Sequence, residues 1–122
     1  MLKGGGNNFG IVTRFTMRTI PFSGQVWGGI ALHPLNTTPD VAQALVQFNT
    51  NMAQDPDTNM QMVVTYAPRL GGEAVLSICA NTAGVENPPA LKQILELPEN
   101  FNNRKKMPLQ EFISYSSLPT DY

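Results

Sequence analysis

The feature that most constrains the fold is a glycine-rich stretch, residues 4–10, which runs directly into a β-branched segment at residues 11–20. Polar and apolar side chains alternate over that segment, which is the pattern of a half-buried strand. Dinucleotide-binding and P-loop motifs both need a helix after their glycines. The first also needs glycine where Phe9 stands, and the second needs lysine where Ile11 stands. The sequence therefore excludes both phosphate sites and predicts a glycine loop that leads into a strand. Two interpretations stay open, a loop whose backbone approaches a ligand and a tight turn without one.

The pattern of polar and apolar residues after residue 20 predicts further strands, two helices and one weak element. Residues 25–32 are expected to pair with residues 11–20 as a hairpin, and the glycines at 28 and 29 indicate a bulge or a close backbone approach. In chain order the further elements are a helix capped by Thr38 and ended by residues 55–57, strands at 59–67 and 74–80, a short helix at 89–97, and a weak element at 109–115. This order predicts an α+β fold, an antiparallel β-sheet with helices packed on one face.

Charge and composition exclude several classes of function. There are 8 basic and 9 acidic residues, so binding to nucleic acid through a basic surface is not expected. The one basic run, residues 104–106, is interpreted as a solvated loop. No apolar run approaches ~18 residues, so no membrane span is expected. Charged residues make up only 14% of the chain, against a usual ~25%, which predicts a sheet face that contacts protein, including a second copy.

Two residue types that often carry chemistry occur once each. Cys79 lies in an apolar run and is predicted to be a buried, inert thiol. His33 is interpreted as a turn residue rather than a base or a ligand. A metal site needs several ligands, and the sequence offers no cluster of them, so none is predicted. No catalytic residue can be assigned from the sequence.

The run GGGNNFGIVTRF, residues 4–15, resembles the segment that closes the flavin domain in fungal FAD-linked oxidoreductases of the berberine-bridge-enzyme-like group. That group belongs to the PCMH-type, or vanillyl-alcohol-oxidase, superfamily of flavoproteins. The stretches at 24–29 and 85–98 are similar to later segments of the same group, and the match covers residues 1–100 in order.

The resemblance implies that residues 1–20 end a PCMH-type FAD-binding domain and that residues 21–122 are part of a substrate-binding domain. It also implies that backbone groups of the glycine segment lie along FAD; the residues concerned are Gly6, Asn8, Phe9, Gly10, Ile11 and Val12. Intact relatives would use FAD to oxidise a small organic substrate. The chain has no counterpart of the family's histidine that links to the flavin, because His33 stands in another segment. It is therefore expected to bind FAD weakly or not at all and to be inactive alone.

A second function stays open, a non-catalytic interaction or dimerisation module built on the same sheet. The location of the protein is also open. Residues 36–38 fit an N-glycosylation site, so secretion is conceivable for an intact parent, whereas the chain as written carries no leader and is expected in the cytosol.

Overall fold

The computed structural model describes residues 10–19, 21–22, 24–68 and 72–116. Within them lie five strands and three α-helices. In chain order these are β1 (Gln25–His33), α1 (Thr38–Asn51), β2 (Thr58–Ala67), β3 (Gly72–Asn81), α2 (Lys92–Leu95), β4 (Phe101–Asn102), β5 (Lys105–Pro108) and α3 (Leu109–Ser116). All strand pairs are antiparallel, in the order β2-β3-β1-β4, with β5 also paired to β1. The predicted α+β class with an antiparallel sheet is confirmed.

Strand β1 lies in the middle of the sheet and approaches its neighbours closely at its glycines. Its ladder with β3 runs unbroken from Trp27 opposite Asn81 to His33 opposite Val75. A Cβ atom on Gly28 would lie 2.3 Å from the Cys79 carbonyl oxygen, which no real side chain tolerates. Of the two sequence interpretations of this glycine pair, close backbone approach is therefore the correct one.

Strands β4 and β5 continue one register along the free side of β1 and are interrupted at residues 103–104. At the interruption the Asn103 amide replaces part of the ladder. Its backbone N–H donates to the Ile30 carbonyl at 3.1 Å, and its side-chain Oδ1 accepts from the Ile30 N–H at 2.7 Å. The interpretation of residues 104–106 as a solvated loop is wrong. Lys105 and Lys106 belong to β5, because their backbone satisfies the open edge of β1.

The predicted strand at residues 11–20, and its hairpin with β1, are also wrong. Residues 10–19 have no regular secondary structure and are exposed. The physical reason lies in β1, because β3 occupies one of its edges and β4 with β5 occupy the other. An alternating pattern gives a strand only where a partner is available to accept its backbone hydrogen bonds.

Helices α1 and α2 cover one face of the sheet, which we call the helix face. Their apolar side chains pack with those of the strands into one core, consisting of Trp27, Val41, Ala44, Phe48, Met60, Val75, Cys79, Leu91 and Ile94. The methionines of β2 therefore point to the helix face, and Gln61 and Val63 to the opposite face, a choice that the sequence left open. Tyr66, which continues the alternation of Met60 and Met62 on β2, is 71% exposed.

The start of α1 differs slightly from the prediction. Thr37 rather than Thr38 precedes the first helical residue, after a single 3-10 turn at Leu35–Thr37. Neither threonine caps the helix with its side chain, because their hydroxyls donate backwards to the carbonyls of Pro34 and Leu35. The weak element at 109–115 is α3, whose Phe112 reaches Gly28 on the face opposite Trp27.

Candidate functional site

The glycine segment is the site that the sequence predicts, and the structure describes part of it. Gly6, Asn8 and Phe9 lie outside the described residues. Gly10 has a φ of 129° and open space where a Cβ atom would be. This position therefore favours glycine because of its backbone conformation and not because a side chain would clash.

The two residues that follow expose apolar side chains. Ile11 is 95% exposed and Val12 is 46% exposed. Phe15 and Met17, further along, are 76% and 81% exposed. Nothing in the described part of the chain covers this apolar run, and its contact with a flavin stays a prediction.

A group of polar side chains lies buried on the helix face, and the sequence did not predict it. We call it the polar cluster, made of His33, Ser77, Glu99 and Arg104. The imidazole Nδ1 lies 2.9 Å from the Pro98 carbonyl oxygen, and Nε2 lies 2.8 Å from the Ser77 hydroxyl. Since a carbonyl oxygen only accepts, Nδ1 carries the hydrogen, and in that tautomer Nε2 accepts from the hydroxyl.

The Arg104 guanidinium completes the polar cluster from the interruption between β4 and β5. Its Nη2 donates to the Ser77 hydroxyl oxygen at 3.3 Å and lies 2.7 Å from a Glu99 carboxylate oxygen. The side chains of Arg104 and Glu99 are only 4% and 16% exposed, so this ion pair is held in a largely dry environment. The arginine Nε has no hydrogen-bond partner. Glu99 Oε1 has none either, so the 2.7 Å contact is an ion pair without the alignment of a hydrogen bond.

A serine at hydrogen-bond distance from a histidine is the arrangement of a nucleophile and its base. Here Ser77 is 0% exposed and His33 is 2% exposed, so no substrate carbon can reach the hydroxyl. The polar cluster instead ties residues 98–104 to the centre of the sheet. The interpretation of His33 as a turn residue is wrong, because the ring ends strand β1 on the buried face.

Burial of the neighbouring thiol agrees with its predicted inertness. Cys79 is 0% exposed, and burial raises the pKa of its thiol, with Arg104 and Ser77 opposing that rise. A raised thiol pKa removes the thiolate that reaction with electrophiles or metals requires. The prediction of a buried thiol is confirmed.

Two recesses mark the surface of the described residues. The larger, about 720 Å³, lies between α1 and α2 over Phe48, Met60 and Ile94. Its rim is amide-rich, and the buried Gln93 Oε1 has no hydrogen-bond partner. The smaller, about 330 Å³, lies beside Trp27. In neither recess do a nucleophile and a base converge.

The described residues offer neither a cluster of metal ligands nor a membrane-spanning helix. They contain no group of three or more His, Cys, Asp or Glu side chains that could hold a metal ion. No helix in the described ranges is long and apolar enough to cross a membrane.

Comparison with known proteins shows similarity to fungal proteins named FAD-dependent monooxygenases. The chain is 29% identical over 99% of its length to FAD-dependent monooxygenase sdcF of Emericella nidulans, and spans 26% of that protein. It is 35% identical over 84% of its length to FAD-dependent monooxygenase drtC of Aspergillus calidoustus, spanning 19% of it. FAD-dependent monooxygenase tpcD of Cochliobolus heterostrophus is 29% identical over 96% of this chain, which spans 22% of tpcD.

The chain is therefore related to a segment, about a fifth to a quarter in length, of fungal FAD-linked oxidoreductases. No family model matches it. No solved structure matches it either.

Proposed function

We propose that this chain is part of an FAD-linked oxidoreductase of the berberine-bridge-enzyme-like group, and that it performs no redox chemistry alone. The observation that carries the proposal is similarity along 99% of the chain to a protein named as an FAD-dependent monooxygenase, of which it spans 26%. In the whole protein FAD would accept the electrons and the protein would orient a small organic substrate beside it.

The proposed division into domains agrees with the fold. Residues 10–19 lie outside the sheet, whereas the strands and helices described between Gln25 and Ser116 form one α+β fold. This supports residues 1–20 as the end of a PCMH-type FAD-binding domain and residues 21–122 as part of the substrate domain. The exposed run from Gly10 to Met17 would then be covered by the rest of the flavin domain.

The face of the sheet opposite α1 and α2 is the surface that we propose meets the flavin domain. Of the three described helices, α3 packs there, near Gly28. Four apolar side chains further along that face, Ile30, Leu32, Val63 and Ile78, are only half-buried, although Leu76 among them is buried. A mainly apolar sheet face that lacks a full covering layer is typical of an interface with another domain.

Burial of the one histidine supports the proposed inactivity of the chain alone. Oxidation of a substrate carbon requires a base near that carbon and a flavin ring held rigidly beside it. The chain has 1 histidine, and it is buried against Ser77. A glycine segment alone offers FAD few contacts, and every tenfold loss of affinity corresponds to about 1.4 kcal/mol.

Titration of the isotopically labelled protein with FAD, followed by two-dimensional NMR, tests both parts of the proposal. We expect no FAD to remain bound through gel filtration and no substrate turnover. At millimolar FAD we expect chemical-shift changes confined to residues 6–12, because those amides are proposed to line the cofactor. Gly24 is the internal control, being an exposed glycine with a φ of 84° outside the segment.

ADP serves as the control ligand, since it shares the adenine and pyrophosphate of FAD but has no flavin ring. Shift changes spread over the whole chain, or equal changes with ADP, would contradict the assignment of the glycine segment to the flavin. Yellow protein that turns over a substrate would contradict the claim that the chain is inactive alone.

A further inference from the structure

Strand β2 forms one edge of the sheet, and it lacks the features that normally protect an edge. Among the described residues it pairs only with β3, over ten positions from Thr58 opposite Asn81 to Ala67 opposite Gly72. The register is continuous, so no bulge twists the edge away. The strand reads TNMQMVVTYA and contains neither a charged residue nor proline. Natural sheets blunt such edges with charge, proline or bulges, because an open edge is a template for another strand.

The opposite edge of the sheet carries every protection that β2 lacks. Strands β4 and β5 are short and are interrupted at Asn103. Lys105 and Lys106 lie in β5, which ends at Pro108. Pairing of β2 with this edge of another molecule would therefore be poor. A head-to-tail contact, in which β2 pairs with the opposite edge of the next molecule and open fibres grow, is therefore disfavoured. The remaining edge contact is β2 with β2 of a second copy, which is symmetric and closes at two copies.

Side chains on β2 favour the same arrangement. A two-fold axis perpendicular to the sheet keeps the helix faces of both copies on one side, so residues pair with residues of their own face. With Val63 opposite its own copy, Met62 lies opposite Val64 of the second copy, and Met60 lies opposite Tyr66. Val64 and Tyr66 are 62% and 71% exposed in the single chain. Cross-strand pairs of apolar and aromatic side chains stabilise a sheet, and here no like charges meet.

We propose that this protein forms a two-fold symmetric dimer in which β2 pairs antiparallel with β2 of a second copy, joining the two sheets into one. The proposal does not depend on flavin chemistry. The low fraction of charged residues predicts self-association through a face of the sheet. The proposed dimer instead forms at an edge of the sheet.

Sedimentation and light scattering of the purified chain test the proposal. We expect a species of twice the 13.3 kDa chain mass at ~100 μM, a concentration typical for weak dimers of micromolar affinity. Val64→Lys places a charge on the proposed edge and is expected to yield monomer. Val46→Lys is the matched control, because Val46 is 65% exposed on helix α1 and takes no part in the β2 ladder, and we expect it to leave the dimer intact. Circular dichroism checks that both variants are folded.

A cysteine substitution tests the register independently. Directly opposite residues of antiparallel strands have Cα atoms about 4.5–5.5 Å apart, which a disulfide can bridge. Val63→Cys is therefore expected to give a covalent dimer under mild oxidation. Val85→Cys, at a 47% exposed position outside the sheet, is expected to stay monomeric under the same conditions.

Three results would overturn the proposal. The first is a folded wild-type monomer throughout the concentration range. The second is a dimer that Val64→Lys does not weaken or Val63→Cys does not cross-link. The third is growth beyond two copies without limit, since the symmetric contact closes at a dimer.

Discussion

The ion pair between Glu99 and Arg104 allows a quantitative test of how the last third of the chain is held. Glu99→Ala would leave the guanidinium charged at 4% exposure, with only the 3.3 Å contact to the Ser77 hydroxyl. Removing one partner of a buried pair costs about 3–5 kcal/mol, because the other charge stays desolvated and uncompensated. Glu99 is 16% exposed and thus partly screened by solvent, so the lower end of that range, about 3 kcal/mol, is the expected loss of unfolding free energy.

Urea unfolding followed by fluorescence of the single tryptophan, buried Trp27, measures this loss. With a slope of about 1.5 kcal/mol per molar urea, a loss of about 3 kcal/mol lowers the midpoint by about 2 M. The control is Glu96→Ala, whose carboxylate is 66% exposed and lies 3.8 Å from Lys92. That surface substitution is expected to change stability by less than about 0.5 kcal/mol.

A double substitution separates the ion pair from simple loss of packing. Glu99→Leu combined with Arg104→Met removes both charges and keeps apolar volume, so it is expected to restore stability to within about 1 kcal/mol of the wild type. The Ser77 hydroxyl keeps its contact with His33 at 2.8 Å in that variant. The reasoning fails if Glu99→Ala costs no more than Glu96→Ala, or if the double variant is no more stable than Glu99→Ala.

Two further predictions concern the middle of the sheet. Gly28→Ala would place a Cβ atom 2.3 Å from the Cys79 carbonyl oxygen and is expected to lower the free energy of unfolding, measured by thermal unfolding, by about 3 kcal/mol. Gly24→Ala, at a position with open space but a φ of 84°, is expected to lower it by about 1 kcal/mol. Equal losses would refute the close-approach explanation. Burial raises the pKa of Cys79 above its ordinary 9.0. The thiol of the unfolded chain therefore ionises at a lower pH than the thiol of the folded chain. Its contribution to the free energy of unfolding is present below pH 9.0 and is lost as pH rises through the raised pKa. Urea midpoints measured from pH 7 to about 10.5 should fall more steeply for the wild type than for Cys79→Ala, and parallel curves would contradict this.

Sequence patterns predicted most of the regular elements, but they gave one false strand and missed two short ones. The helical stripe of Val41, Ala44 and Phe48 and the alternation of β2 were sufficient, because each pattern matches one face of an element to the core. The same alternation at residues 11–19 was misleading, since periodicity describes a strand's faces and not whether a neighbour is available to pair with it. Strands β4 and β5 were missed for the converse reason, as a polar, lysine-bearing segment becomes a strand when it lies beside the open edge of β1.

The polar cluster could not be predicted from the sequence, for a different reason. Its members come from three separate stretches of the chain, around residues 33, 77 and 99–104, so no local spacing marks them. A weak signal existed nonetheless, because His33 continues the alternation of Trp27 and Ala31 on one side of β1 and so faces the core. Arg104 could be expected to lie over the centre of the sheet only once its position opposite the side-chain-free Gly29 was known.

The central position of β1 has a consequence for how the chain acquires its structure during synthesis. Its first partner strand includes Ser77, which follows His33 by 44 residues, and Asn103 on the other side follows Ile30 by 73 residues. At a synthesis rate of about 5–20 residues per second, several seconds pass between the synthesis of β1 and the synthesis of its partner strands on both sides. Nascent β1 is thus the segment that a chaperone would be most useful in shielding, and pairings this distant predict slow folding for a protein of this size.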